Sequence, residues 1–102
     1  MKKNEYIFVA GHKGMVGSAV IKELKRLKYK NIITKNKKDL DLINQKSVDL
    51  FFKKNKISCV ILAAARVGGI LANSKNQEIF LYENIMIQSN IIYCCHKYNI
   101  KK

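Results

Sequence analysis

The 102-residue chain carries 20 lysine and arginine residues against 7 aspartate and glutamate residues, a formal charge of +13. Hydrophobic residues make up 48% of it, which excludes a disordered chain, and the length supports one core rather than two lobes with a cleft. The charge suits phosphate-bearing ligands, but the lysines are spread over the whole chain and the aromatic residues lie inside apolar runs, so a nucleic-acid-binding module is the least favoured alternative.

The first half of the chain predicts a strand, a helix and a second strand. The apolar run at 6–10 ends at a glycine, which is typical of a buried parallel strand. Apolar residues then recur at helical spacing on one side of a helix: Val16, Val20, Leu24 and Leu27. A second strand is predicted at 31–34, followed by a polar stretch at 35–41.

The second half repeats the alternation. Asn44 is the predicted N-cap of a helix that ends near 55–56, and its inward face consists of Val48, Phe51 and Phe52. A third strand is predicted at 59–64, then a loop at 65–77 and a final helix at about 79–98.

This order predicts an α/β fold, specifically a partial Rossmann fold of three αβα layers, in which the second and third strands flank the first in a parallel sheet. The final helix is apolar over most of its circumference from 85 to 95. Two explanations stay open: a half-buried helix in an ordinary core, or a helix that a partner chain covers, as in a homodimer.

The remaining sequence features favour a soluble, cytoplasmic protein. No apolar run approaches the roughly 20 residues that span a bilayer. The thiols of Cys59, Cys94 and Cys95 lack metal-ligand spacing and are expected to be reduced and packed in a core. His12 and His96 offer no credible catalytic or metal site.

Three glycines predict a turn that binds a dinucleotide. Gly11, Gly14 and Gly17 follow a buried strand and open a helix within a βαβ unit, which is the context of the dinucleotide-binding fingerprint. Gly11 would permit a tight turn, Gly14 the approach of a pyrophosphate, and Gly17 close packing of helix and strand. The N-terminus of that helix would offer N–H groups to the phosphates.

The stretch after the second strand indicates which dinucleotide is bound. NAD-selective sites place an acid about 20 residues past the glycines, whereas basic groups there accommodate a 2′-phosphate. Residues 34–38 contain three lysines and no acid, and Lys13 in the glycine turn can reach the same phosphate. The sequence therefore predicts NADP(H), with a merely solvated lysine-rich surface as the open alternative.

Three segments together resemble the GDP-L-fucose synthases, members of the extended short-chain dehydrogenase/reductases and of the NAD-dependent epimerase/dehydratase family. They are Gly-His-Lys-Gly-Met-Val-Gly at 11–17, Ala-Ala-Arg-Val-Gly-Gly-Ile at 64–70 and Tyr-Glu-Asn-Ile at 82–85. The resemblance covers the whole chain and implies an NADPH-dependent conversion of GDP-4-keto-6-deoxymannose to GDP-L-fucose, by epimerisation at two carbons and then hydride transfer to the ketone.

The resemblance also implies the site. Residues 11–17 would hold the pyrophosphate, and Lys13 and Lys37 would replace family arginines at the 2′-phosphate. Asp41 and Leu42 would lie beside the adenine, and residues after the third strand would line the path to the nicotinamide ribose. The cofactor-binding residues are thus Gly11, His12, Lys13, Gly14, Met15, Val16, Gly17, Lys37, Asp41, Leu42, Ala63, Ala64, Ala65 and Val67.

The family's catalytic serine, its Tyr-x-x-x-Lys pair and its epimerisation cysteine and histidine all lie further along the family's sequence than residue 102. Tyr93 and Lys97 match the pair's spacing but lack its context, so no catalytic residue is assigned. Residues 1–102 are therefore predicted to be the N-terminal portion of an NADP-binding Rossmann domain without the substrate lobe, inactive alone. The alternative is a non-enzymatic regulatory fragment that associates with a full-length relative.

Overall fold

The secondary structure follows the predicted alternation. A computed structural model describes residues 3–11, 14–36, 38–63 and 77–100. Its strands are β1 (Tyr6–Ala10), β2 (Asn31–Ile33) and β3 (Cys59–Leu62), and its helices are α1 (Met15–Arg26), α2 (Gln45–Lys54) and α3 (Gln77–Lys97). β2 and β3 are slightly shorter than predicted, and α3 begins slightly earlier. The rest of the predicted loop at 65–77 lies outside the described residues.

The three strands form a parallel sheet in the order β2-β1-β3. Ile7 of β1 pairs with Ile32 of β2 along one edge and with Cys59 of β3 along the other. The central position predicted for the first strand is therefore confirmed.

Side chains of β1 alternate between the two faces of the sheet. Ile7 and Val9 pack with Leu24 of α1, whereas Phe8 and Ala10 belong to a second cluster with residues of α2 and α3. All four strand residues are at most 1% exposed. One helix thus covers one face and two helices cover the other, which confirms the predicted αβα layers.

The predicted inward face of α1 is partly wrong. Leu24 is buried and Val20 packs against the core, but Val16 is 64% exposed and Leu27 is 40% exposed. Val16 lies in the first turn and Leu27 is the C-cap. Helical spacing identifies a face but not how much of that face the sheet covers, so Val16 stays exposed although the neighbouring Gly17 is buried.

α2 matches its prediction closely. Its N-cap Asn44 accepts a hydrogen bond from the backbone N–H of Ser47 through Oδ1, at 3.1 Å. The three predicted inward residues are buried, and the ring centroids of Phe8 and Phe51 lie 4.7 Å apart.

α3 has apolar residues on two sides. Ile87, Ile91 and Cys94 are buried against the second cluster. The α3 outward face, by contrast, consists of five large side chains between 81 and 93 that are at least half exposed: Leu81, Tyr82, Ile85, Ile92 and Tyr93.

The cysteines are free thiols, as predicted, with Cys59 and Cys94 buried and Cys95 half-buried. Burial raises the pKa of both helix thiols, which disfavours the reactive thiolate form. Within the described ranges, no helix has the length and apolar character needed to cross a membrane.

A polar cluster joins α2 to the C-terminal end of α3. Lys97 Nζ and the Tyr98 hydroxyl each donate a hydrogen bond to Asp49 Oδ1, at 2.9 Å. These two hydrogen bonds, chiefly that from Lys97, hold the pKa of the Asp49 carboxyl below its ordinary value, and the same contact raises the pKa of Lys97. Lys97 therefore serves to connect two helices.

This cluster predicts a pH dependence of stability. A carboxyl pKa lowered by folding means that the ionised group stabilises the folded state above the unfolded pKa and loses this contribution as the pH falls through the folded value. Asp49→Asn is therefore expected to lower the free energy of unfolding at pH 7, with the difference from the unaltered chain shrinking below about pH 4. Urea denaturation between pH 7 and pH 3 measures this, and Asp39→Asn, at an exposed position outside the cluster, is the control. Parallel pH profiles for Asp49→Asn and the unaltered chain would contradict it.

Candidate functional site

The sheet order creates a crevice at one edge. From β1 the chain crosses to β2 through α1 on one face, and from β2 to β3 through α2 on the other face. The strand order thus reverses beside β1, and open α/β sheets bind ligands outside the carboxyl ends of the strands at such a point. Gly11 follows β1 and Ala63 follows β3, and the Ala63 N–H donates to the Ala10 carbonyl at 2.8 Å. These predicted site residues are therefore brought together.

Gly11 starts the turn into α1. Its φ of 87° lies in the left-handed region, which residues with a Cβ rarely adopt. Its carbonyl accepts a hydrogen bond from the N–H of Gly14 at 3.2 Å. The chain thus passes from the end of β1 to the start of α1 through a tight turn that requires glycine at this position.

Gly14, unlike Gly11, does not have a backbone conformation that requires glycine. It is the N-cap of α1, with φ −73° and ψ 169°, a conformation open to any residue. A Cβ there would lie 3.5 Å from the Gly11 carbonyl oxygen, an ordinary van der Waals contact. The described contacts therefore leave room for a side chain, and the fold does not demand glycine here.

The N-terminus of α1 lacks the closure that α2 has. Gly14 has no side chain with which to accept a hydrogen bond, and the first turn contains no acidic residue. In α2, Asn44 fills that position with its own side-chain oxygen. The start of α1 therefore offers backbone N–H groups and partial positive charge to an external anion. Met15 and Val16 in this first turn are exposed, Met15 to 89%.

Asp41 and Leu42 lie in the segment that runs from the carboxyl end of β2 to α2. The exposed Asp41 accepts a hydrogen bond from the Ile43 N–H through Oδ1 at 3.1 Å, and its carbonyl accepts one from the Asn44 N–H at 3.0 Å. Leu42 is half-buried against the second cluster. Because β2 pairs with β1, this segment starts at the same edge of the sheet as the glycine turn.

Six predicted residues lie outside the part of the chain that the structure describes: His12, Lys13, Lys37, Ala64, Ala65 and Val67. They include both lysines expected at the 2′-phosphate. The preference for NADP over NAD therefore stays a prediction from the sequence.

One residue near the site was not predicted. The buried Asn90 of α3 donates hydrogen bonds from Nδ2 to the carbonyls of Leu42 and Ile43, at 2.9 and 3.0 Å. The sequence offered little signal, because Asn90 directly follows the polar Gln88 and Ser89 within the apolar stretch of α3 and nothing distinguishes it from them.

The described residues do not assemble a catalytic group. Their histidine, cysteine and acidic side chains form no cluster of three or more that would hold a metal ion. Tyr93 is half exposed, and Lys97 is bound to Asp49. The chemistry that these residues support is the binding of a phosphate-bearing ligand.

Known proteins share this arrangement. The sequence profile of the NAD dependent epimerase/dehydratase family matches residues 7–102. The chain is 43% identical over 100 residues to GDP-L-fucose synthase 1 of Arabidopsis thaliana, an alignment that covers 98% of this chain and 31% of that protein.

Two solved structures with bound NADP have the same fold. A GDP-mannoheptose C4 reductase from Campylobacter jejuni is 40% identical with a TM-score of 0.93, covering 99% of this chain and 30% of that chain. A GDP-L-fucose synthetase from Naegleria fowleri is 29% identical with a TM-score of 0.81, covering 99% and 30%. This chain thus spans less than a third of the length of these relatives.

Substitution by serine is expected to change the free energy of unfolding in opposite directions at the two glycines of the turn. Gly11→Ser is expected to lower the free energy of unfolding by about 1–2 kcal/mol, because a Cβ is strained in the left-handed region. Gly14→Ser is expected to raise it by roughly 0.5 kcal/mol, because serine is a favourable N-cap that would accept from the first turn of α1. Urea denaturation followed by circular dichroism measures both. Equal losses from the two variants would contradict the distinction.

Proposed function

The chain belongs to the NAD dependent epimerase/dehydratase family, and we propose on this basis that it binds NADP(H) in the crevice between the carboxyl ends of β1 and β3. The observation that carries the proposal is the uncapped start of α1, directly after the tight turn at Gly11. A helix N-terminus of this kind stabilises an anion through its free N–H groups and the helix dipole. The NADP bound in two similar structures supports this choice of anion.

The parts of the cofactor lie in the spatial order of the strands, β2-β1-β3. The adenine lies beside Asp41 and Leu42 after β2, the pyrophosphate on the segment 11–17 after β1, and the nicotinamide ribose toward 63–67 after β3. The 2′-phosphate is held by Lys13 and Lys37. This assignment is supported by the acid-free stretch at 34–38 and by the family resemblance of the segments.

The reaction served is the reduction of a keto group on a GDP-linked sugar, for which the cofactor supplies the hydride. Identity of 43% with a GDP-L-fucose synthase favours GDP-4-keto-6-deoxymannose as the substrate, with epimerisation before reduction. The chain spans only 31% of that enzyme, so sugar binding and catalysis require residues beyond the 102. Alone, the 102 residues bind the cofactor without turnover.

Titration of the chain with NADPH, followed by nicotinamide fluorescence at about 0.15 M salt to screen non-specific charge, tests the proposal. The unaltered chain is expected to bind NADPH, and Gly14→Ser to bind it at least about tenfold more weakly, because the serine takes up helix N–H groups and occupies the approach to the backbone. The same substitution is expected to stabilise the fold, so a loss of binding cannot be attributed to unfolding.

Two controls complete this titration. Lys54→Ala removes one positive charge from the last turn of α2, at the sheet edge opposite the crevice, and should leave NADPH binding unchanged. NADH differs from NADPH only in lacking the 2′-phosphate and should bind more weakly. Absence of NADPH binding in a folded sample would overturn the proposed function, whereas equal binding of NADH would overturn only the selectivity.

A second candidate function is association with another copy of the chain through the α3 outward face. The observation that favours it is the row of five large apolar or aromatic side chains that are at least half exposed there. Exposed large apolar side chains on one side of a helix are a feature of interaction sites, and here the exposed Gln88 and Ser89 divide them into two groups.

Sedimentation velocity over a range of concentrations tests this association. The unaltered chain is expected to form a dimer that Ile92→Glu disrupts, since a charge would be buried in the interface. Leu50→Glu alters an exposed leucine of α2 and should leave the dimer intact. A monomer at every concentration would exclude this candidate.

A further inference from the structure

Asn90 is a buried amide in the core of the described residues. It is 5% exposed and directly precedes the buried Ile91 on α3. An apolar side chain at this position would suit the packing. The amide is therefore to be explained by its hydrogen bonds, because a buried polar group is costly without them.

Those hydrogen bonds reach one short segment of the chain. Both come from Nδ2, and they end on two successive carbonyls, those of Leu42 and Ile43, 48 and 47 residues away in sequence. A side chain on a long helix thus fixes the backbone of the connection between β2 and α2.

The same segment is also braced from within. The Asp41 carboxylate accepts from the Ile43 N–H, and the Asp41 carbonyl accepts from the Asn44 N–H. Asn44 in turn caps α2. The carboxylate of Asp41 remains exposed on this braced turn, and it has capacity to accept a further hydrogen bond from an external amino group.

We infer that Asn90 is a positioning residue for adenine recognition, because it holds the turn that carries Asp41 and Leu42 at the edge of the sheet. The inference rests on the proposed function, which puts the adenine at this turn. Adenine presents an exocyclic amino donor to an acceptor such as a carboxylate, whereas hypoxanthine presents a carbonyl oxygen in its place. A correctly held turn should therefore prefer adenine.

The test compares the affinities for NADPH and for its hypoxanthine analogue, reduced nicotinamide hypoxanthine dinucleotide phosphate. The unaltered chain is expected to prefer NADPH by about tenfold, the contribution of one hydrogen bond to a charged group. Asn90→Leu keeps the branching of the buried side chain at Cγ but removes its donors, and it should bring the ratio of the two affinities close to one.

A matched control is available on α2. Asn55 donates from Nδ2 to the Phe51 carbonyl at 2.8 Å, a side-chain to backbone hydrogen bond at the opposite sheet edge. Asn55→Leu removes this hydrogen bond and should leave the ratio unchanged. A purely structural role of Asn90 would lower stability in the same way without altering the ratio.

Hydrogen exchange provides a measurement that needs no variant. In the unaltered chain, NADPH is expected to slow exchange of the Ile43 and Asn44 amides, and unchanged exchange there overturns the inference even if Asn90→Leu fails to fold. An unaltered ratio in folded Asn90→Leu, or equal affinity of the unaltered chain for both dinucleotides, also overturns it. Absence of NADPH binding by the unaltered chain overturns the proposed function as well.

Discussion

The burial of β1 on both faces and its pairing along both edges determine where every other element lies. A strand with Phe8 and Ala10 on one side and Ile7 and Val9 on the other needs helices above and below the sheet. Right-handed crossovers meet that need only if α1 and α2 take opposite faces. The reversal of strand order beside β1, and hence the crevice at its carboxyl end, follows from this packing requirement.

The two helices that connect the strands differ at their N-termini: the N-cap side chain of α2 makes a hydrogen bond, and the N-cap residue of α1 has no side chain to make one. α2 is closed by the side chain of Asn44, as a helix optimised for the fold would be. α1 begins at Gly14 without such a closure, although the contacts of the described residues leave room for a side chain there. The start of α1 is thus less stabilised than it could be, at the place where we propose that the cofactor binds.

Much of the secondary structure was predictable, because local sequence patterns determine it. The apolar run at 6–10 gave the bounds of β1, and the Asn44 cap with its three inward residues gave α2. The exposure of Val16 was not predictable, since periodicity does not report how far a helix overlaps its sheet. Gly11 and Gly14 were identified from their spacing and their place between a strand and a helix, whereas the contact of Asn90 with Leu42 depends on tertiary packing between residues 48 apart.

The register between β1 and β3 also governs the order of events during synthesis. Ile7 pairs with Cys59, so the central strand emerges from the ribosome about 50 residues before its second partner emerges. At roughly 5–20 residues per second, Ile7, Phe8 and Val9 wait several seconds with one edge unpaired. During that interval the β1–α1–β2 unit can bury only one face of the strand, which leaves this apolar run of the nascent chain open to aggregation.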